Sequence, residues 1–581
     1  METNGALTQP LTARGAAVIV GWRQRLPIEN VVLGLAALAL LVLVGYPLVW
    51  LALGSLGLPT KLSLARYADI VGDPSYRQPL VNTVELAAGT AVLSVLFGVP
   101  LAWLVARTDV PAKRLIRTCT ALAYIIPPYL TALAYIILAG PNAGVLNALF
   151  VAVTGAKEGP LNVFSMPGVI VVISVHAFAI VFFFTYSALL SVDATQEEAA
   201  WILGAGRLTT LRRITLPLVA PAITAGALLA AVISMALFGP QAFLGLPGRL
   251  FFLPTRIFSL FSRYPPDTAG ASALAFALIV LTALGLGLQR WYLARRSYVT
   301  LGGKASRPAP LALGRWRWVG LAYALLVIGF AVFIPLFVLV SAAFSKNWVA
   351  GLSPENLTLE NFQYALFQEQ VTRRAVGNSL KLAVAAATAA TLIGALVAYL
   401  NRRTTARGRQ FLDYLSILPL GLPGIVLAVG IIQAWIRPPL VLYGTIWILL
   451  VCYVARFIPV AVRSADASLA QVDPALEDAA RIIGASWLQT FRTITARLIR
   501  PGLLVAWLLV FIPSMGELSA TVLLYSSGNE TLSVALYRLQ ELGRLEVVSA
   551  IAVFTVILTL LALVVAQRIA GKELDELASG R

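Results

Sequence analysis

Residues 193–221 read DATQEEAAWILGAGRLTTLRRITLPLVAP, and residues 473–501 read DPALEDAARIIGASWLQTFRTITARLIRP. The two stretches align at a constant offset of 280, with 14 of 29 positions identical, against roughly 6% expected of unrelated sequence of ordinary composition. Self-similarity of this kind sets the architecture before any single element is read. The same offset pairs Ser234-Met235 with Ser514-Met515. Upstream, Asn82-Thr83 and Arg107-Thr108 recur as Asn378-Ser379 and Arg403-Thr404 at an offset of 296, so the first half carries extra loop residues.

The chain around these stretches has 581 residues, of which 59% are hydrophobic and 12% charged, with a mean hydropathy of +0.85. Soluble domains carry about a quarter charged residues, so a water-soluble enzyme is excluded. Apolar runs recur that are long enough to cross a hydrocarbon layer of roughly 30 Å. Windows of about 19 residues place spans near 31–53, 79–106, 116–139, 167–190, 218–245, 270–292, 317–343, 376–400, 410–435, 440–462, 499–523 and 546–568. The fold class is therefore an all-α membrane protein with about twelve transmembrane helices, arranged as two six-helix modules in parallel orientation. The expected organisation is a cytoplasmic amino-terminal segment 1–30, a first module 31–295, a basic linker 296–316, a second module 317–570 and a tail 571–581.

The net charge of +18 is explained by topology. Arg14, Arg23 and Arg25 precede the first span with no small-residue cleavage site, so that span reads as an anchor and not a removable signal. With the amino end inside, the inner segments hold Arg107, Lys113, Arg114, Arg117, Arg207, Arg212 and Arg213 and the linker bases Arg290, Arg295, Arg296, Lys304, Arg307, Arg315 and Arg317. The second half adds Arg402, Arg403, Arg407, Arg409, Arg463, Arg481, Arg492, Arg497 and Arg500. About 30 of the 44 Lys and Arg fall on this side, the positive-inside pattern. Both termini are expected in the cytoplasm, with anionic lipid and no nucleic acid as the neighbour of the excess base. Two cysteines in apolar runs, Cys119 and Cys452, and a single histidine, His176, supply neither a disulfide framework nor a metal cluster.

Both repeated stretches fall on the cytoplasmic side, between the fourth and fifth span of their half. Asp193 and Asp473 can cap a helix, Pro474 suits its first position, and Gln196 sits where a capping-box partner would. Glu197-Glu198 and Glu477-Asp478 then put acids in or near the first turns, where the helix dipole favours negative charge. Gly204 and Gly484 can end the helix in a left-handed residue and lead into a second helix carrying Arg212 and Arg492. Ala199-Ala200 and Ala479-Ala480 would leave a smooth strip for a partner's groove.

The pattern Glu198-Ala199-Ala200, three residues, Gly204, nine residues, Ile214, one residue, Leu216-Pro217 resembles the coupling motif of ABC-importer permeases. The second copy departs from it at Asp478 and at Ala496-Arg497. The resemblance implies two permease modules fused in one chain, each docking one copy of a separate ATPase that uses ATP and magnesium, with no cofactor bound by this chain. The implied coupling residues are Glu197, Glu198, Ala199, Ala200, Gly204, Glu477, Asp478, Ala479, Ala480 and Gly484. No ATPase is encoded here: Gly302-Gly303-Lys304 lacks the glycine spacing of a phosphate-cradling loop. The stretch Met515 to Leu524, followed by Leu532-Ser533-Val534-Ala535, is similar to fused permeases for ferric iron, which implies delivery by a periplasmic or lipid-tethered binding protein. Related permeases carry thiamine, aminoethylphosphonate, polyamines or sulfate, so those substrates stay open.

Inside the membrane, Glu517 is expected deep in the eleventh span and needs a polar partner. Two accounts of it are open: an oxygen donor for ferric iron, or a bridge to a neighbouring helix. Met235 and Met515 occupy equivalent positions, as apolar packing or beside the translocation path. His176 reads as an interhelical donor, and Glu85 and Lys381 as side chains reaching to the interface. The rival reading is a secondary carrier driven by an ion gradient, which parallel repeats also permit. A membrane enzyme comes third, because the chain offers no paired carboxylates or metal ligands and no catalytic residue can be named.

Overall fold

A computed structural model describes residues 27–58, 62–294, 311–351, 353–404 and 408–579. Arg14, Arg23, Arg25, Arg295, Arg296, Lys304, Arg307 and Arg407, the segment 1–26 and the linker as far as 310 lie outside the described residues. The described chain is helical, and its β pairing is confined to two isolated bridges, Thr108 with Leu311 and Ser345 with Leu357.

Among the described residues, ten helices are long and apolar enough to cross a membrane: Val31–Ser55, Pro74–Arg107, Met166–Ser191, Leu211–Ala236, Thr268–Ala294, Trp316–Ala343, Gln370–Arg403, Ile446–Leu469, Phe491–Met515 and Leu545–Val565. Two bent pairs, Lys113–Ile125 with Pro128–Ala139 and Arg409–Gly421 with Gly424–Trp435, make twelve spans when each pair counts as one. The third and ninth spans expected near 116–139 and 410–435 are thus pairs of helices bent by 98° and 116°. Proline is the cause. Ile126 is extended before Pro127-Pro128, and Leu422 is extended before Pro423, because a residue ahead of proline is pushed out of the helical region.

Within each half the second, fourth and fifth spans pack on one another. Glycine permits the closest crossing: a Cβ on Gly98 would lie 2.8 Å from the Phe178 carbonyl oxygen, and one on its repeat-mate Gly394 2.8 Å from the Ala461 backbone. Membrane helices gain little from apolar burial against apolar lipid, so association rests on close backbone approach of this kind. The first span of each half packs against the other half. Gly430 meets the backbone of Pro47, and the Tyr135 hydroxyl donates to the Phe330 carbonyl at 2.9 Å. The first span of each half thus bridges the two modules, packing on the last span of its own half and on the other half.

The fifth and eleventh spans differ from expectation at both ends. They begin earlier, at Leu211 and Phe491, because the second helix of each repeated hairpin runs directly into the span through a π turn. They end earlier too, at Ala236 and Met515, where Leu237 leaves the helical region ahead of Phe238-Gly239-Pro240 and Gly516 closes the other copy. The buried loops that follow need internal partners for their backbone. Asn82 and Thr83 hold Phe251 O and Leu253 N at 2.9 Å each, and Asn378 and Ser379 hold Glu530 O at 3.0 Å and Leu532 N at 2.8 Å. These repeated polar pairs thus seat the loop after the fifth span of each half on its second span.

Candidate functional site: the repeated helix and its anchor

The repeated stretches form the short helices Ala194–Ile202 and Pro474–Ile482. Asp193 and Asp473 cap them as expected, their carboxylates accepting from Thr195 N at 3.1 Å and Ala475 N at 2.9 Å. Gly204 and Gly484 follow with φ of +82° and +87°, a conformation that costs glycine nothing and other residues strain. Gln196 points to solvent, and the cap is carried by the aspartate.

The paired acids do not share a face. Adjacent helical positions are about 100° apart, and one of each pair turns inward: Glu197 and Glu477 are only 8% and 3% exposed. Glu197 accepts from the Thr215 hydroxyl at 2.6 Å and lies 3.6 Å from Arg107, at the end of the second span. Glu477 repeats this with Thr495 at 2.8 Å and Arg403 at 3.3 Å, and adds the Tyr399 hydroxyl at 3.3 Å and Arg481 at 3.7 Å. Arg107 and Arg403 also donate to the carbonyls of Val192 at 3.3 Å and Val472 at 2.6 Å, directly before the capping aspartates. Of the expected coupling residues, Glu197 and Glu477 therefore face into the permease and anchor the short helices to it. Ala200 and Ala480 likewise face inward, on the same buried side.

Glu198, Asp478, Ala199 and Ala479 face outward, together with both glycines. Beside them stand apolar pairs that the sequence reading passed over: Ile202-Leu203 are 86% and 87% exposed, and Ile482-Ile483 84% and 85%. Their signal was available. Two large aliphatics at the same point of both copies have no inward register once Ala200 and Ala480 take the buried side. Each short helix thus presents one acid, one alanine and two bare aliphatics, a face suited to another protein's groove.

At the junction of the halves, Glu517 lies past the end of the eleventh span and not deep within it as expected. Its carboxylate accepts from Ala520 N at 2.9 Å and pairs with Arg456 at 3.2 Å, while its carbonyl accepts from Thr521 and Ser533 at 2.7 Å each. Arg456, in the middle of the tenth span, was missed; a lone arginine in an apolar run was the signal. The loop carrying Glu517 reaches the other half where the Ser519 hydroxyl faces Phe238 N at 3.5 Å. Met235 and Met515 are buried at the ends of their helices. His176 donates to the Ala123 carbonyl at 3.0 Å, as an interhelical donor should. Glu85 and Lys381 are exposed. Among the described residues, no three His, Cys, Asp or Glu side chains gather as metal ligands.

Comparison with known proteins bears on both halves. The family model described as binding-protein-dependent transport system inner membrane component matches residues 98–298 and 390–573. The ferric transport system permease protein FbpB of Actinobacillus pleuropneumoniae is 28% identical over 469 residues, covering 79% of this chain and 66% of that protein. The putative ferric transport system permease protein FbpB 1 of Haemophilus influenzae is 29% identical over 457 residues, covering 77% and 70%. This chain therefore spans about two thirds of the length of these relatives. A putative 2-aminoethylphosphonate transport system permease protein, PhnV of Salmonella paratyphi A, is 31% identical over 240 residues, or 41% of this chain and 89% of that one. Among solved structures, a bacterial ABC transporter involved in the import of the acidic polysaccharide alginate aligns at 18% identity, with a TM-score of 0.36, over 45% of this chain and 99% of that chain.

Proposed function

Because this chain belongs to the family of binding-protein-dependent transport system inner membrane components, we propose that it is the membrane-spanning permease of an ATP-driven importer for ferric iron. The observation that supports this reading is the doubled short helix, anchored inward by Glu197 and Glu477 and exposed outward at Glu198 and at Asp478, which keeps an ion pair with Arg481 at 4.0 Å. Each copy would dock one ATPase subunit, so two ATPases serve one chain. ATP and magnesium belong to those subunits, and this chain contributes docking and movement. Both short helices and both termini would lie in the cytoplasm of a cell whose inner membrane the twelve spans cross. A periplasmic or lipid-tethered binding protein would deliver the cargo to the opposite face.

Ferric iron is favoured because relatives named for it align through both halves, whereas the aminoethylphosphonate relative aligns with 240 residues. ATPase closure would press the two short helices together, and the second, fourth and fifth spans of each half would turn with them. Glu517, Met235 and Met515 would lie beside a path between the halves. A carboxylate already neutralised by Arg456 is a poor free donor for a trivalent cation, so Glu517 is assigned to holding the loop and not to binding iron.

The test is charge reversal on the outward face. Glu198→Lys with Asp478→Lys should leave the amount of permease in the membrane unchanged and cut ATP-dependent uptake of radiolabelled ferric iron at least tenfold. Of the single variants, Glu198→Lys should hurt more, since its copy keeps the full motif. Normal uptake by the double variant would remove the docking assignment.

A further inference from the structure

Transport requires that force applied at the short helix reach the spans that line the path. The covalent connections alone are poor transmitters. Each short helix is only nine residues long and hangs between the fourth and fifth spans by turns at Val192 and Gly204, or Val472 and Gly484. What stiffens the joint is the buried arginine of a third element, the second span. In both halves it reaches across to the inward acid of the short helix and to the carbonyl that enters that helix. The same acid accepts from the threonine where the fifth span begins. One carboxylate and one guanidinium thus tie together four chain segments, twice, at equivalent positions.

We propose that Arg107–Glu197 and Arg403–Glu477 are transmission latches, which make the second, fourth and fifth spans of a half move as one body with its docking helix. The inference rests on the docking reading above and extends it from where the ATPase binds to how its motion enters the membrane. These four are positioning residues. In both joints the arginine lies at ion-pair distance from the acid, and the directional bonds around the pair, from the arginine to the Val192 or Val472 carbonyl and from Thr215 or Thr495 to the acid, resist sliding where an apolar contact would slip. The second latch has more bonds than the first, Tyr399 and Arg481 being added to the shared set. The copy with the weaker outward motif thus gains one more bond from its second span, that of Tyr399, since Arg481 lies on the short helix itself.

Two measurements test this, one needing no partner. In the purified full chain without ATPase, amide exchange across Pro474–Ile482 should be slow, and Glu477→Gln should speed it at least tenfold while the middle of Gln370–Arg403 is unchanged. Glu197→Gln should speed exchange across Ala194–Ile202 by a smaller factor. In vesicles holding permease, ATPase and binding protein, Glu477→Gln should keep ATP hydrolysis within about twofold of wild type while ferric uptake per ATP falls at least tenfold. A residue needed only for folding would lower both together. Should the single variant leave too little protein, Arg403→Gln with Glu477→Gln removes both charges, leaves neither uncompensated, and should fold with uptake per ATP still depressed. Unchanged exchange, or wild-type uptake per ATP in the folded double variant, would overturn the latch. If wild-type permease fails to bind the ATPase at all, the docking reading falls, and the exchange experiment still decides the latch.

Discussion

The Arg456–Glu517 pair permits a worked prediction. The Glu517 side chain is 7% exposed and that of Arg456 24%, with Nε and Oε2 3.2 Å apart. Removing one partner of a buried pair leaves the other charge uncompensated, at a cost of about 3–5 kcal/mol. The two single variants are not equivalent. Arg456→Gln strands the more buried carboxylate and should cost the full amount. Glu517→Gln strands a guanidinium that keeps some access to water, and its amide oxygen can still accept from Ala520 N, so the loss should be about 1–3 kcal/mol. Glu517→Ala also gives up the bond to Ala520 and should fall between them. At about 2 °C per kcal/mol for a large chain, the melting temperature in detergent should drop by about 2–6 °C for Glu517→Gln and about 6–10 °C for Arg456→Gln. Combining the two should recover at least about 1 kcal/mol relative to their sum, because residues in contact couple. Uptake of ferric iron at matched expression should follow the melting temperatures. If the double variant loses the sum of the single losses, the two groups do not act as a pair. If it regains stability while uptake stays abolished, Glu517 acts on the cargo, and the bridging account is wrong.

Two further outcomes are expected. With Cys119 and Cys452 replaced, a cysteine at exposed Ser527 should react with an impermeant thiol reagent in intact cells, and one at exposed Ala479 only after permeabilisation; the reverse would invert the orientation. Ser379→Ala leaves the buried Leu532 N–H without its 2.8 Å acceptor and should lower stability by about 1–3 kcal/mol, with Thr83→Val doing the same at Leu253, as measured by thermal melting.

The sequence by itself determined the membrane class, the approximate places of the apolar spans, the parallel repeat and the place of the short helices, because each rests on a local quantity. Apolar length sets a span, the 280-residue offset sets the repeat, and Asp193, Asp473, Gly204 and Gly484 set the caps through bonds to their own neighbours. The departures came where local preference meets a partner distant in sequence. Hydropathy windows average over prolines, so the broken third and ninth spans and the early ends before Leu237 and Gly516 were invisible to them. Glu197 and Glu198 are chemically alike in sequence. Only the tertiary arrangement, which brings Arg107 to one face of the helix and leaves the other bare, separates anchor from docking residue. Arg107 and Arg403 counted as inner-side topology signals, yet two buried pairs use both. The bridging of the halves by their first spans was likewise decided by packing. Where lipid is as apolar as the side chains, helices choose partners by how closely backbones approach and which polar groups must be satisfied, and neither is encoded in a window of neighbouring residues.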